Sequence, residues 1–97
     1  MLAISETAAN AMTRIVAAHA GTGEEAGIRI THEAAGEERY DLAMEVRPAP
    51  EAGDEVVAES GARVFLPPET AALLDDKLLE AQVENGGLTG FAILDQR

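Results

Sequence analysis

Between Gly53 and Asp75 the chain reads Gly-Asp-Glu-Val-Val-Ala-Glu-Ser-Gly-Ala-Arg-Val-Phe-Leu-Pro-Pro-Glu-Thr-Ala-Ala-Leu-Leu-Asp, and no other stretch constrains the fold as tightly. Two short apolar runs, Glu55 to Glu59 and Ala62 to Leu66, flank Ser60-Gly61, a pair suited to a tight turn. Pro67-Pro68 cannot extend a strand ladder, but a proline is favourable in the first turn of a helix. A short helix starting at Pro68 is therefore expected, docking Leu73 and Leu74. The order strand, turn, strand, short helix leaves little choice of local architecture.

Upstream, Ser5 is a good N-cap, Glu6 suits the positive first turn, and Gly21 can end a helix in the left-handed conformation. Between them Ala8, Met12, Ile15, Val16 and His19 form one apolar stripe, with Arg14 on the other side. A helix from Ser5 to about residue 20 is expected, covering one side of a sheet. In Ile28-Arg29-Ile30-Thr31-His32 the isoleucines and His32 share a face; from Tyr40 to Val46 the large apolar residues fall on every second position. These two runs read as a hairpin joined by Ala34 to Glu38, and Pro48 to Gly53 reads as a loop. Lys77 to Glu84 fits a helix face or a strand face. Because Asn85-Gly86 stands between it and the extended run Leu88 to Leu94, the strand reading is preferred.

These elements define a mainly β domain with helices (α+β), a small sandwich or barrel-like arrangement of six or seven strands. Ninety-seven residues support one domain, residues 1 to 97. With one Tyr and two Phe the core must be aliphatic. The residues expected inside are Ile15, Ile28, Ile30, Leu42, Met44, Val57, Val64, Leu66, Leu73, Leu74, Phe91 and Ile93.

Charge and composition narrow the function. Eighteen acids against seven bases give a net charge of −11, which repels phosphate backbones and anionic lipid surfaces, so neither nucleic acid nor membrane is an expected partner. No run is long and apolar enough to span a bilayer, and the N-terminus lacks a signal-peptide pattern, so a cytoplasmic protein is expected, a monomer or weak homo-oligomer. The absence of cysteine removes disulfides and thiolate metal sites. Paired acids (Glu24-Glu25, Glu37-Glu38, Asp54-Glu55, Asp75-Asp76) fall at loops and element ends and read as solvation; the last two pairs lack calcium-loop spacing. The serines, Ser5 and Ser60, sit in a cap and a turn, far in sequence from His19 and His32, so no catalytic residue is expected.

In order and spacing the chain resembles the HesB/IscA family of iron-sulfur cluster assembly proteins. Ile4-Ser5-Glu6-Thr7-Ala8-Ala9 is similar to the family's opening helix, and Gly27-Ile28-Arg29-Ile30 to its first strand. Asp54-Glu55-Val56-Val57, Gly61-Ala62-Arg63-Val64-Phe65-Leu66 and Leu73-Leu74-Asp75 are similar to its central block. The resemblance implies three ligating cysteines: one at the position of Glu37, after Gly36, and a Cys-Gly-Cys that would lie beyond Gln96 and Arg97. None is present in this sequence. Clusters are held by thiolates, so the expected role is a non-enzymatic accessory or protein-interaction module without cofactor rather than a cluster carrier. The alternative is a metal-binding protein, holding iron or another divalent metal with His32, Glu37 and Glu38, Glu33 lying beside them.

Overall fold

The computed structural model describes residues 1–19, 25–36 and 39–96. Its elements run in the order β1 (Ala3–Ile4), α1 (Glu6–Ala17), β2 (Gly27–Gly36), β3 (Arg39–Arg47), β4 (Glu55–Glu59), β5 (Ala62–Leu66), α2 (Pro68–Leu73), β6 (Lys77–Glu84) and β7 (Gly87–Asp95). The two tight turns form where the sequence places them. Ser60 and Gly61 have φ of 50° and 88°, Asn85 and Gly86 52° and 80°. Positive φ at both central residues is the hairpin geometry whose twist matches the flanking strands.

The strands make two sheets, β1-β6-β7 and β3-β2-β5-β4. β2 is antiparallel to β3 but parallel to β5, with Ile28 opposite Val64 and Arg29 opposite Phe65. The chain therefore leaves β3 at one edge and crosses to β4 at the other through residues 48 to 54. Arg29 grips this crossing loop: its Nε and Nη2 donate to Asp54 Oδ2 and Oδ1 at 3.0 and 3.2 Å. Asp54 also accepts from the Glu51 backbone at 3.0 Å, and its own N–H returns to the Glu51 carbonyl at 3.0 Å. The Asp54 side chain is 1% exposed. Its hydrogen bonds from Arg29 hold its carboxyl below the usual carboxylate range against the opposing effect of burial.

β1 is a two-residue strand that the sequence reading does not anticipate; it runs parallel to β6, Ala3 opposite Leu78. It leads into Ser5, whose Oγ accepts from the Ala8 N–H at 3.0 Å and donates to Glu80 Oε1 at 2.6 Å, while its N–H bonds the Leu79 carbonyl. The cap thus fastens α1 to β6. The other end departs from expectation, because α1 stops at Ala17, before Gly21. His19 explains this: its N–H turns to the Val16 carbonyl and its Nδ1 lies 2.8 Å from the Ile15 carbonyl, occupying the acceptor that a further α-turn would use.

α1 contacts both sheets, on β6 and on β2 and β5. Ala8 and Ala9 are fully buried at this contact, small enough for close approach. Ile28, Ile30, Val57, Val64, Leu66 and Leu74 are buried as expected. Ile15, Leu42, Met44, Leu73, Phe91 and Ile93 are only half-buried, packed against the rim of the core. Leu2, Met12, Phe65 and Leu79 are fully buried although the expected core omits them. Phe65 points away from Val64 and Leu66. Its face carries Arg29 and the gripped loop, and Gly27 makes room there: a Cβ on Gly27 would come within 2.9 Å of the Phe65 ring and 2.5 Å of the Arg63 carbonyl oxygen.

Leu79→Ala is expected to lower stability by about 2–5 kcal/mol, whereas the exposed Leu94→Ala should change it by no more than about 0.5 kcal/mol; urea denaturation separates the two. Asp54 adds an acid dependence. A carboxylate held low in the folded state contributes stability above its unfolded pKa, near about 3.9, and loses it as pH falls through the folded value. The urea midpoint followed from about pH 6 to pH 2 should drop more steeply for the native chain than for Asp54→Asn.

Candidate functional site

The β2–β3 hairpin carries the residues on which a metal site would depend. His32 is on the inward face of β2, half-buried, with Nδ1 2.7 Å from Thr70 Oγ1. Thr70 belongs to α2 and is 2% exposed, a buried polar side chain in an otherwise apolar interior. The pair pins α2 over β2. Glu33, the next residue, is exposed on the opposite face, across from Asp41, because side chains alternate along a strand. His32 and Glu33 therefore do not converge. Glu37 and Glu38 lie outside the described residues. Among the described residues, no three His, Asp or Glu side chains come close enough to hold a metal ion.

Several other polar groups singled out from sequence have structural partners. Ser5 is spent on capping α1 and bonding Glu80. Asp75 meets the terminal ammonium of Met1 at 2.6 Å. Lys77 lies 2.6 Å from Asp95 and 3.5 Å from Asp76, and these carboxylates raise its pKa, the hydrogen bond to Asp95 most. His19 is exposed at the end of α1.

A recess opens where the two sheets fail to close on each other. It has a volume of about 420 Å³ and is lined by Ile15 and His19 of α1, Ile28 of β2, Met44, Glu45 and Val46 of β3, and Phe91 of β7. A second groove of about 360 Å³ lies between α1 and the β6–β7 hairpin, with Thr7, Asn10, Ala11, Arg14 and Ile15 on one wall and Val83, Gly86 and Leu88 on the other. Both are lined by a mixture of apolar side chains and a smaller polar share, the chemistry of a surface that takes a mainly apolar guest. Sequence reasoning assigned Met44 and Phe91 to the core and so missed the first recess. The available signal was an excess: more inward-facing apolar positions on the strands than one helix can cover.

With this geometry established, comparison with known proteins places the fold. No family model matches the sequence, and no curated protein matches it. Solved structures do. The crystal structure of Escherichia coli SufA, involved in biosynthesis of iron-sulfur clusters, superposes with a TM-score of 0.80 at 18% identity, covering 99% of this chain and 81% of SufA. The crystal structure of IscA with its [2Fe-2S] cluster gives 0.71 at 15% identity, covering 98% and 82%. A protein from Aquifex aeolicus solved by NMR gives 0.72 at 21%, covering 97% and 90%. The chain has the HesB/IscA fold, an α+β domain whose described residues form two sheets and two helices, as the resemblance implied. Among the described residues no helix is long and apolar enough to cross a membrane.

Thr70→Val keeps the shape of the side chain but removes the hydroxyl that meets His32. A loss of about 0.5–1.5 kcal/mol is expected in chemical denaturation, the net worth of one hydrogen bond. Thr70→Ser should retain the contact and recover part of that loss.

Proposed function

We propose that this chain is a non-enzymatic accessory module of iron-sulfur cluster assembly, acting in the cytoplasm through contact with a protein partner and carrying no cluster of its own. One observation carries the reading: the backbone of SufA and IscA is reproduced over nearly the whole chain, yet its 97 residues contain no cysteine. Cluster iron needs ligands that tolerate bridging sulfide and redox cycling; thiolate supplies this and carboxylate does not. The residues present do not fit a cluster. The one histidine beside the hairpin is turned inward onto Thr70, which also weakens the case for a carboxylate and imidazole site at His32, Glu37 and Glu38. The half-buried apolar residues along β3 and β7 support a role in contact with another protein.

Anaerobic reconstitution of the purified chain with ferrous iron and sulfide tests the proposal. The expected product is colourless after desalting, with no visible charge-transfer absorbance and no sulfide in proportion to protein. A stable brown species with stoichiometric iron and sulfide would overturn it.

A further inference from the structure

The recess between the sheets is bordered by an edge strand on each side: β3 is outermost in the four-stranded sheet and β7 in the three-stranded one. The two edges differ. β7 slips register between its pairings with Gln82 and Val83, so that Thr89 is skipped in the strand pairing and its hydroxyl donates to the Gln82 carbonyl at 3.1 Å, a bulge of the kind that discourages further pairing. β3 is regular from Asp41 to Arg47 and carries no proline, lysine or bulge there. Among the described strands it pairs with β2 alone, so every second set of its N–H and C=O groups faces outward. Its inward residues Leu42, Met44 and Val46 are half-buried, Met44 and Val46 lining the recess, while Asp41, Ala43 and Glu45 are exposed, Glu45 at the border of the recess.

Charge is uneven along that strand. Asp41 stands directly opposite Glu33 on the outer face, an arrangement of like charges that costs stability unless a cation intervenes. Neither makes an ion pair among the described residues. At the other end Glu45 is 3.6 Å from Arg47, which also reaches Glu51 at 3.5 Å, so that end is locally neutralised. The chain as a whole, at −11, attracts basic segments over distance.

We propose that β3 and the adjoining recess form a docking site for an extended segment of a partner protein that alternates aliphatic and basic side chains and adds to the four-stranded sheet as a further strand. The backbone edge of β3 supplies the hydrogen bonds of strand addition. Aliphatic side chains enter the recess against Ile15, Met44, Val46 and Phe91. A lysine or arginine on the other face sits over Glu33 and Asp41, and further basic side chains run along the exposed face toward Glu45. The inference rests on the reading of the chain as an interaction module and supplies its surface and partner chemistry.

The probe is acetyl-Lys-Val-Lys-Val-Lys-Val-Lys-amide, compared with acetyl-Lys-Lys-Lys-Lys-Val-Val-Val-amide, which has the same composition and charge without the alternation. Titration into the isotope-labelled chain, followed by amide shifts and hydrogen exchange, should show slowed exchange at alternate amides between Asp41 and Val46 and shifts at Met44 and Phe91. The blocked peptide should bind about tenfold more weakly, or worse. Asp41→Lys, an exposed change, should weaken the alternating peptide severalfold, and Met44→Asp should abolish its effect. If Met44→Asp fails to fold, the peptide pair and Asp41→Lys still decide. Equal affinity for the two peptides, shifts scattered over the acidic surface, or no saturable binding up to millimolar peptide would overturn the proposal. A chain that stays colourless in reconstitution yet ignores the peptide loses this surface alone; one that builds a cluster loses the reading beneath it.

Discussion

Parallel neighbours cannot be joined by a tight turn, and the parallel contact between β2 and β5 places that demand at the centre of this small domain. It forces the chain to travel from one edge of the sheet to the other between β3 and β4, and the loop that does so needs an anchor. Arg29 provides it through a bidentate bond to a nearly inaccessible Asp54. A forked guanidinium is suited to this because it fixes orientation as well as distance. Where the loop is anchored, the outer face of β5 is no longer solvent, and Phe65 can be buried there. Gly27 follows from the same crowding, since any side chain would meet Phe65 and the Arg63 carbonyl. Loop, ion pair, buried ring and glycine are consequences of one topological choice.

Much of this fold was legible in the sequence, and the reasons differ by element. Ser60-Gly61 and Asn85-Gly86 were readable because few residue pairs accept positive φ twice in succession, which fixes hairpin type and register together. Ser5 was readable as a cap because its hydroxyl serves the N–H three residues on, a local relation. The bond from the same hydroxyl to Glu80 was not, because it spans 75 residues of sequence. β1 escaped notice for a similar reason: two residues carry no period, and only pairing with β6 makes them a strand. The end of α1 was misplaced because Gly21 offered a familiar stop, while the competing signal was the His19 ring bonding back onto its own helix.

Burial shows a more general limit. Alternation tells which side chains face inward; it does not tell whether anything stands opposite. Val57 and Leu66 have the same inward-facing status as Met44 and Phe91, yet the first two are sealed and the others lie beside an opening. The difference is position across the sheet, which depends on strand order. The order β3-β2-β5-β4 puts the first hairpin's second strand at an edge. Consecutive, well-patterned strands suggest an interior, so the recess stayed hidden in a pattern that was otherwise read correctly.

The candidate site poses the reverse problem, because there the informative feature is chemical and absent. A fold shared with SufA and IscA fixes where backbone runs; it leaves open which atoms are presented for iron. Thiolates are soft donors and carboxylates hard ones, and no rearrangement of a hairpin changes a donor's softness. His32 illustrates how the remaining groups are spent. An imidazole with one nitrogen against a buried threonine hydroxyl helps position α2, and that task ties its ring to the interior. What this scaffold keeps is shape: a central parallel pair held by an anchored loop, a helix capped onto the second sheet, and an unclosed side with apolar walls. A domain of 97 residues buries a smaller share of its apolar surface than a large one, so such an opening is costly to leave uncovered. A second surface that covers it recovers part of that cost in the complex, which is the physical argument for a partner.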